Sequence, residues 1–263
     1  MNRDIVAKFV SNGNITWTMT TIGYVKYTLN LVTWLRKIGV PWLLCIVCFD
    51  PESEAFFRRE QIHCVQWKEG VSRTQSGMAA FGTPSFELCN RQKLSVLKWF
   101  ALNYATFGIT NSLYLDGDIV IQRDPWPLFN TILSIDCSEN IFFQCDCSND
   151  EEHGGEYFSD GCESPCSGVI LTRHVSPSQA NIYEIEANMW KEAGSMDQYY
   201  IMKTLAATNT PYKILGRRQF GNGVWQKSGR WKDGNWTLLH YNYMVSGTKR
   251  TIMKKAEHWI IHY

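Results

Sequence analysis

The run VPWLLCIVCF, Val40 to Phe49, is ten residues long and ends at Asp50-Pro51. It is about half the length a bilayer-spanning helix requires, so it reads as a short strand buried on both faces. A strand covered on both faces needs helices to cover it. Just upstream, YVKYTLNLVTWLRKIG places Tyr24, Tyr27, Leu31, Trp34, Leu35 and Ile38 three to four residues apart, and Gly39 and Pro41 close the helix. Before it, NITWTMTT (Asn14 to Thr21) is β-branched and aromatic, a strand. The chain therefore opens β-α-β. Between Leu88 and Phe107, Leu94, Leu97, Ala101, Tyr104 and Ala105 share a helical face, and after Gly108 the strand SLYL delivers Asp116. Such alternation builds an α/β fold, a mainly parallel central sheet with helices on both faces. Ligands of these sheets bind outside the carboxyl ends of the strands, where Asp116 is expected.

At 263 residues, with 44% hydrophobic content and only 8 prolines, the chain has room for one large or two small domains and none for long disorder. Its 26 basic and 25 acidic residues leave a net charge of +1, which excludes a polyelectrolyte attraction to nucleic acid or to an anionic membrane. Any phosphate must be bound locally. The start, MNRDIVAKFV, shows no apolar signal region, no run is long enough for a membrane span, and the expected location is cytoplasmic. Nine cysteines, an odd number in a chain too large to need staples, fit reduced thiols. Cys145, Cys147, Cys162 and Cys166 read C-x-C…C-x3-C; C-x-C is an uncommon arm of a zinc site, so free thiols are expected. The acidic segment SNDEEHGGEYFSDG between them is too polar to pack, and we expect a mobile lid without zinc beside the site. Oligomeric state is not legible.

The stretch LYLDGDIVIQRDPWPLF, Leu113 to Phe129, carries the chemistry. Period-two geometry sends Asp116 and Asp118 to one side, and Gly117 between them leaves the backbone open to a bulky anion. Two like charges repel unless a cation neutralises them, and hard oxygen ligands suit magnesium or manganese. The same Asp-Gly dipeptide is also the common signature of a hairpin turn. The glycine and glutamate of a calcium loop are missing. The residues alone leave the metal site and the turn both open.

This stretch resembles the D-x-D segment of GT-A glycosyltransferases, and its continuation D-P-x-P-L-F is similar to the nucleotide-diphospho-sugar transferase family. Further pieces follow in that family's order. Lys98 lies on the helix before the strand; CSGVILTRH (Cys166 to His174) is similar to an N-x-G-F motif with serine for asparagine; MDQYY (Met196 to Tyr200) resembles a D-Q motif. RRQFGNGV (Arg217 to Val224) and LLHYNYMVSGTKRTIMKK resemble F-x-N-G and a terminal histidine-and-lysine motif. The likeness spans most of the chain. It implies a single GT-A domain over 1–263, with a Rossmann-like nucleotide-sugar half to about residue 125 and an acceptor half with the terminal motif from about 126.

The resemblance also implies the site. Asp116, Asp118 and His240 would hold Mn2+ or Mg2+ bridging the two phosphates of a UDP-sugar donor. Taken by itself, His240 in the apolar WTLLHYNYM reads as a core histidine. Lys249 and Arg250, after Gly247, would contact the phosphates, and Lys98, Gly117, Asn222, Gly223 and Asn242 would complete the donor site. On its own helix Lys98 falls beside Leu94 and Leu97, where a lysine snorkels. Thr20, Thr21 and Tyr24 would meet the nucleobase, although Tyr24 also suits the first core position of its helix. Asp146, Asp197 and Gln198 would face the sugars, while Asp197 after EAGSM also fits a surface turn. The partners implied are a nucleotide sugar and a glycan acceptor. Within the family the motif set resembles transferases of large algal viruses that build capsid glycans, and among those a xylosyltransferase. Two other readings stay open: a metal-dependent nucleotidyltransferase or phosphohydrolase, and a glycan-binding module whose 11 tryptophans and 12 tyrosines stack on sugars. Stereochemical outcome and linkage are not written in the chain.

Overall fold

The protein is described from a computed structural model covering residues 1, 3–68, 82–135, 138–148, 157–159, 161–162, 164–244 and 246–262. The expected acidic lid lies largely outside the described residues. Among the described residues ten strands are present: β1 (Asn14–Thr20), β2 (Leu44–Cys48), β3 (Cys64–Gln66), β4 (Asn111–Leu115), β5 (Ile119–Ile121), β6 (Ile141–Cys145), β7 (Pro165–Arg173), β8 (Lys213–Leu215), β9 (Phe220–Gly221) and β10 (Leu238–His240). Seven form one sheet in the order β3-β2-β1-β4-β7-β6-β8, and the other three form a second, β5-β10-β9. The β1–β2, β1–β4, β2–β3 and β6–β8 pairs are parallel. At β7 the direction reverses: Asp116 N–H donates to Gly168 O and His174 N–H to Thr110 O, both at 2.8 Å. The expected α/β fold with a mostly parallel sheet is what forms.

Caps explain where the elements begin and end. The apolar run becomes strand only from Leu44, and every residue of β2 is buried. Asp50 then starts the helix Pro51–Arg59: its Oδ1 accepts the Ser53 N–H at 2.7 Å. The Asp50 Oδ2 accepts the Ile22 N–H at 2.9 Å, fixing the turn after β1. The helix expected over Leu88–Phe107 instead runs Pro84–Asn103, because Thr83 caps it and Pro84 suits its first turn. Tyr104–Phe107 tighten into a 3-10 turn that Gly108 closes with φ +64°.

The chain forms two compact units, the first comprising Met1–Val25, Trp42–Tyr114 and Leu171–Pro211, the second Lys26–Pro41, Leu115–Ile170 and Tyr212–Tyr263. Each half of the division expected near residue 125 contributes to both. In the first unit, Trp17 on β1 packs on Tyr114 and Phe100, with ring centroids 4.5 and 5.1 Å away. In the second, Phe129 stacks on Phe220 at 5.1 Å, and Trp34, Trp231, Trp236 and Tyr241 surround His258. No helix among the described residues is long and apolar enough to cross a membrane.

Candidate active site

β4 ends at Leu115, and Asp116, Gly117 and Asp118 turn the chain, with the Ile119 N–H donating to Asp116 O at 3.3 Å. β5 then joins the second sheet, where its partner is β10. Asp-Gly is therefore not a hairpin turn between paired neighbours. The antiparallel register sets His240 opposite Ile119, beside Asp118. Its Nε2 lies 3.3 Å from Asp118 Oδ1 and 3.5 Å from Asp116 Oδ2. One donor atom from each of the three residues falls within 4.8 Å of the others. Two carboxylates and an imidazole form a hard-to-borderline set that fits Mn2+ or Mg2+.

Two glycines make this convergence possible. A Cβ on Gly168 would stand 2.1 Å from His240 Cε1 and 2.8 Å from Asp116 Oδ2, so any side chain on that part of β7 would fill the cluster. Gly117 serves differently from the expectation: a Cβ there would meet Thr28 Oγ1 at 2.8 Å, so its space is taken by the helix Val25–Ile38 rather than left open to an anion.

His240 is buried, and its orientation is set by Gln144 on β6, which is fully buried. The Gln144 amide nitrogen donates to Phe220 O at 3.1 Å and Gly221 O at 2.7 Å. That leaves Oε1 to face His240 Nδ1 at 2.9 Å, so Nδ1 carries a proton and Nε2 is the atom turned toward the carboxylates. Lys249 pairs with Asp118 Oδ2. Burial alone would raise the Asp118 carboxyl, but Lys249 and His240 outweigh it and hold the group well below the usual carboxylate range. Burial likewise opposes a charged His240, yet Asp118, Cys166 and Asp116 raise it well above its ordinary value. In the metal-free protein, a proton and a lysine thus neutralise the aspartates.

A second set of expected residues is joined by hydrogen bonds. Asn242 Nδ2 donates to Asp146 Oδ1 at 2.9 Å, and Asn242 Oδ1 accepts the Gly223 N–H at 2.6 Å. Gly223 tolerates no side chain, since its Cβ would lie 1.9 Å from Asn242 O. Asn222 caps the helix Gly223–Ser228 and donates to Cys145 O and Cys147 O at 3.1 and 3.2 Å. Tyr243 OH donates to Asp146 O. The four cysteines separate: Cys166 Sγ lies 3.6 Å from His240 Nδ1, while Cys145, Cys147 and Cys162 gather elsewhere.

The remaining expected residues are placed as follows. Gly247, Lys249 and Arg250 lie in the helix Ser246–Lys255, and the Arg250 guanidinium sits 4.9 Å from the Trp259 ring centre. Thr20 ends β1, its Oγ1 donating to Thr21 O at 3.2 Å, and the Tyr24 N–H donates to Thr21 O at 2.8 Å. Lys98 is not on the apolar face; it is a third exposed and pairs with Glu184. The buried lysine of that helix is Lys93, 2.7 Å from Asp197 Oδ2 and 4.4 Å from the Tyr114 ring centre. Asp197 is buried and, with Gln198, opens the helix Asp197–Ala207, so it is not a surface turn. Sequence reasoning passed over Lys93, Gly168 and Gln144. The amide of Gln144 among the apolar residues of IFFQC was the readable signal, since such a group needs fixed partners.

A family model for nucleotide-diphospho-sugar transferases matches residues 43–253. The chain belongs to that family. This transferase is a glycosyltransferase that draws on a nucleotide-sugar donor. A search of curated proteins finds no match. Among solved structures, it is similar to the galactosyltransferase LgtC in complex with donor and acceptor sugar analogs, with TM-score 0.58 and 13% identity over 94% of this chain and 95% of that one. Mouse xyloside xylosyltransferase 1 gives TM-score 0.53 and 11% identity over 87% and 97%. The glycosyltransferase GlyE of Streptococcus pneumoniae gives 0.55 and 14% over 94% and 60%. At these identities the likeness of the transferase to them is one of fold.

Proposed function

We propose that this glycosyltransferase is metal-dependent and moves a sugar from a UDP-sugar to a glycan acceptor, the cation being held by Asp116, Asp118 and His240. The convergence of those three side chains from β10 and the β4–β5 turn carries the reading. When bound, Mn2+ or Mg2+ supplies Lewis-acid stabilisation of the charge that grows on the diphosphate leaving group. The chain's own residues do the rest. Gln144 holds His240 with Nε2 turned to the site. Lys249, which pairs with Asp118, would contact the donor's phosphate oxygens. Thr20, Thr21 and Tyr24 are assigned to the nucleobase. Asp146, fixed by Asn242, and Asp197, fixed by Lys93, are assigned to sugar hydroxyls, whose recognition needs polar groups held in place.

For the donor sugar we propose xylose, and for the acceptor a glycan of a viral capsid protein, met in the cytosol. A xyloside xylosyltransferase among the structures of similar fold supports the first choice, and a galactosyltransferase there makes galactose its main competitor. A panel of UDP-sugars, assayed for UDP release with and without Mn2+, tests both parts. Metal-dependent release fastest with UDP-xylose is expected; release indifferent to metal overturns the cation site, and another preferred sugar overturns xylose alone. Family membership disfavours a nucleotidyltransferase, a phosphohydrolase or an inactive glycan-binding module.

A further inference from the structure

Three thiols meet in the second unit, and none of them has been given a role so far. Cys162 Sγ lies 2.7 Å from Cys145 Sγ and 2.7 Å from Cys147 Sγ. Non-bonded heavy atoms settle about 3.5–4.0 Å apart. The three thiols are thus within reach of one another, and Cys162 is shared between two partners. Structural zinc asks for four ligands. Only three thiols converge among the described residues. The Arg217 guanidinium already supplies a positive charge, 3.2 Å from Cys145 Sγ.

The three sulfurs are not equivalent. Cys145 is fully buried, Cys162 is buried, and Cys147 is partly exposed. Cys145 Sγ accepts from the Arg217 guanidinium and from the Cys147 N–H at 3.4 Å, contacts that favour its thiolate. The hydrogen bond from Cys162 and these contacts lower the Cys145 thiol, and burial does not offset them.

We propose that Cys145, Cys147 and Cys162 form a thiol–disulfide exchange site that takes a low-molecular-weight disulfide such as glutathione disulfide and ends with a Cys147–Cys162 bond. The accessible Cys147 thiolate attacks one sulfur of the small disulfide, forming a mixed disulfide and releasing one small thiolate, which takes up the Cys147 proton. Cys162 passes its proton to the Cys145 thiolate and attacks Cys147 Sγ, breaking the mixed disulfide and releasing the second small thiolate. Cys145 then returns that proton to the departing thiolate. Two protein thiols and one small disulfide become one protein disulfide and two small thiols. Cys145 stays out of the bond because its sulfur is fully buried, out of reach of the small disulfide, and is held by Arg217. Asp146 sits between Cys145 and Cys147, and both of their carbonyls are held by Asn222, so the bond forms in the segment that carries Asp146.

Peptide mapping without reductant, after incubation of the full chain with glutathione disulfide, tests this. Wild type is expected to yield linked Cys147 and Cys162 peptides. Cys162→Ser is expected to stop at one glutathionyl group on Cys147, and Cys147→Ser to leave Cys145 and Cys162 reduced, circular dichroism confirming that both fold. Failure of wild type to form the Cys147–Cys162 link overturns the proposal. So does stoichiometric zinc in protein purified without chelator, if it shields these thiols from alkylation.

Discussion

The role of Gln144 offers a sharp test, because its two ends do different things. Gln144→Leu removes the acceptor from His240 Nδ1 and the donors from Phe220 O and Gly221 O, all inside a side chain with no exposure. Leaving buried polar groups without partners costs roughly 2–5 kcal/mol in total, and about 2–4 °C of Tm follows each kcal/mol in a chain of this size. The functional cost is separate. Loss of an outer partner of a metal-bound histidine lowers metal affinity about 10–100-fold, or roughly 1.4–2.7 kcal/mol. Gln144→Glu separates the two effects: it sets a carboxylate against the same two carbonyls, so it also destabilises, but it keeps an acceptor for Nδ1–H. Mn2+ titration by calorimetry, at alkaline pH and a temperature where both variants are folded, should show the leucine variant weakened about 10–100-fold and the glutamate variant within a few-fold of wild type. Equal, near-native affinities in both variants would refute the idea that Gln144 orients the ligand.

Other outcomes follow from the same geometry. Gly168→Ala, whose new methyl would collide with His240 and Asp116, should lose metal-dependent UDP binding in a calorimetric titration; unchanged binding would mean that β7 yields easily. Asp118→Asn should abolish manganese-dependent UDP affinity while the fold survives, and undiminished affinity would remove Asp118 from the ligand set. Because His240 is raised above its ordinary value in the metal-free protein, Mn2+ affinity should fall as pH drops through that raised value, above the pH of about 6.5 at which a free histidine titrates. His174 and His258 are pushed down by burial to about 4, so the unfolded chain takes up their protons first. Their contribution to stability is present above about pH 6.5 and is lost as pH falls toward 4, roughly 3 kcal/mol each. Urea unfolding at pH 7.5 and 4.5 should show a smaller loss in His174→Gln than in wild type; equal losses would contradict a neutral buried His174.

What the sequence determined was local. Strand and helix types follow from patterns a few residues long: the apolar run became β2, and Asp116 and Asp118, two residues apart, reach one cluster from a single turn. The ordered motifs carried the family, since each is short and its order along the chain is preserved. What tertiary structure decided was every choice between equivalent neighbours. His240 is 122 positions from Asp118, and only the β10–β5 register turns it from one more apolar-flanked histidine into a partner of the aspartates. Lys93 and Lys98 share a helix, and which of them is buried depends on the face that Asp197 and Tyr114 meet. Three cysteines gather and Cys166 leaves them for His240, although spacing alone treats the four alike. Pairings between distant segments depend on register and packing, and a one-residue slip in a strand would send each such side chain to the opposite face.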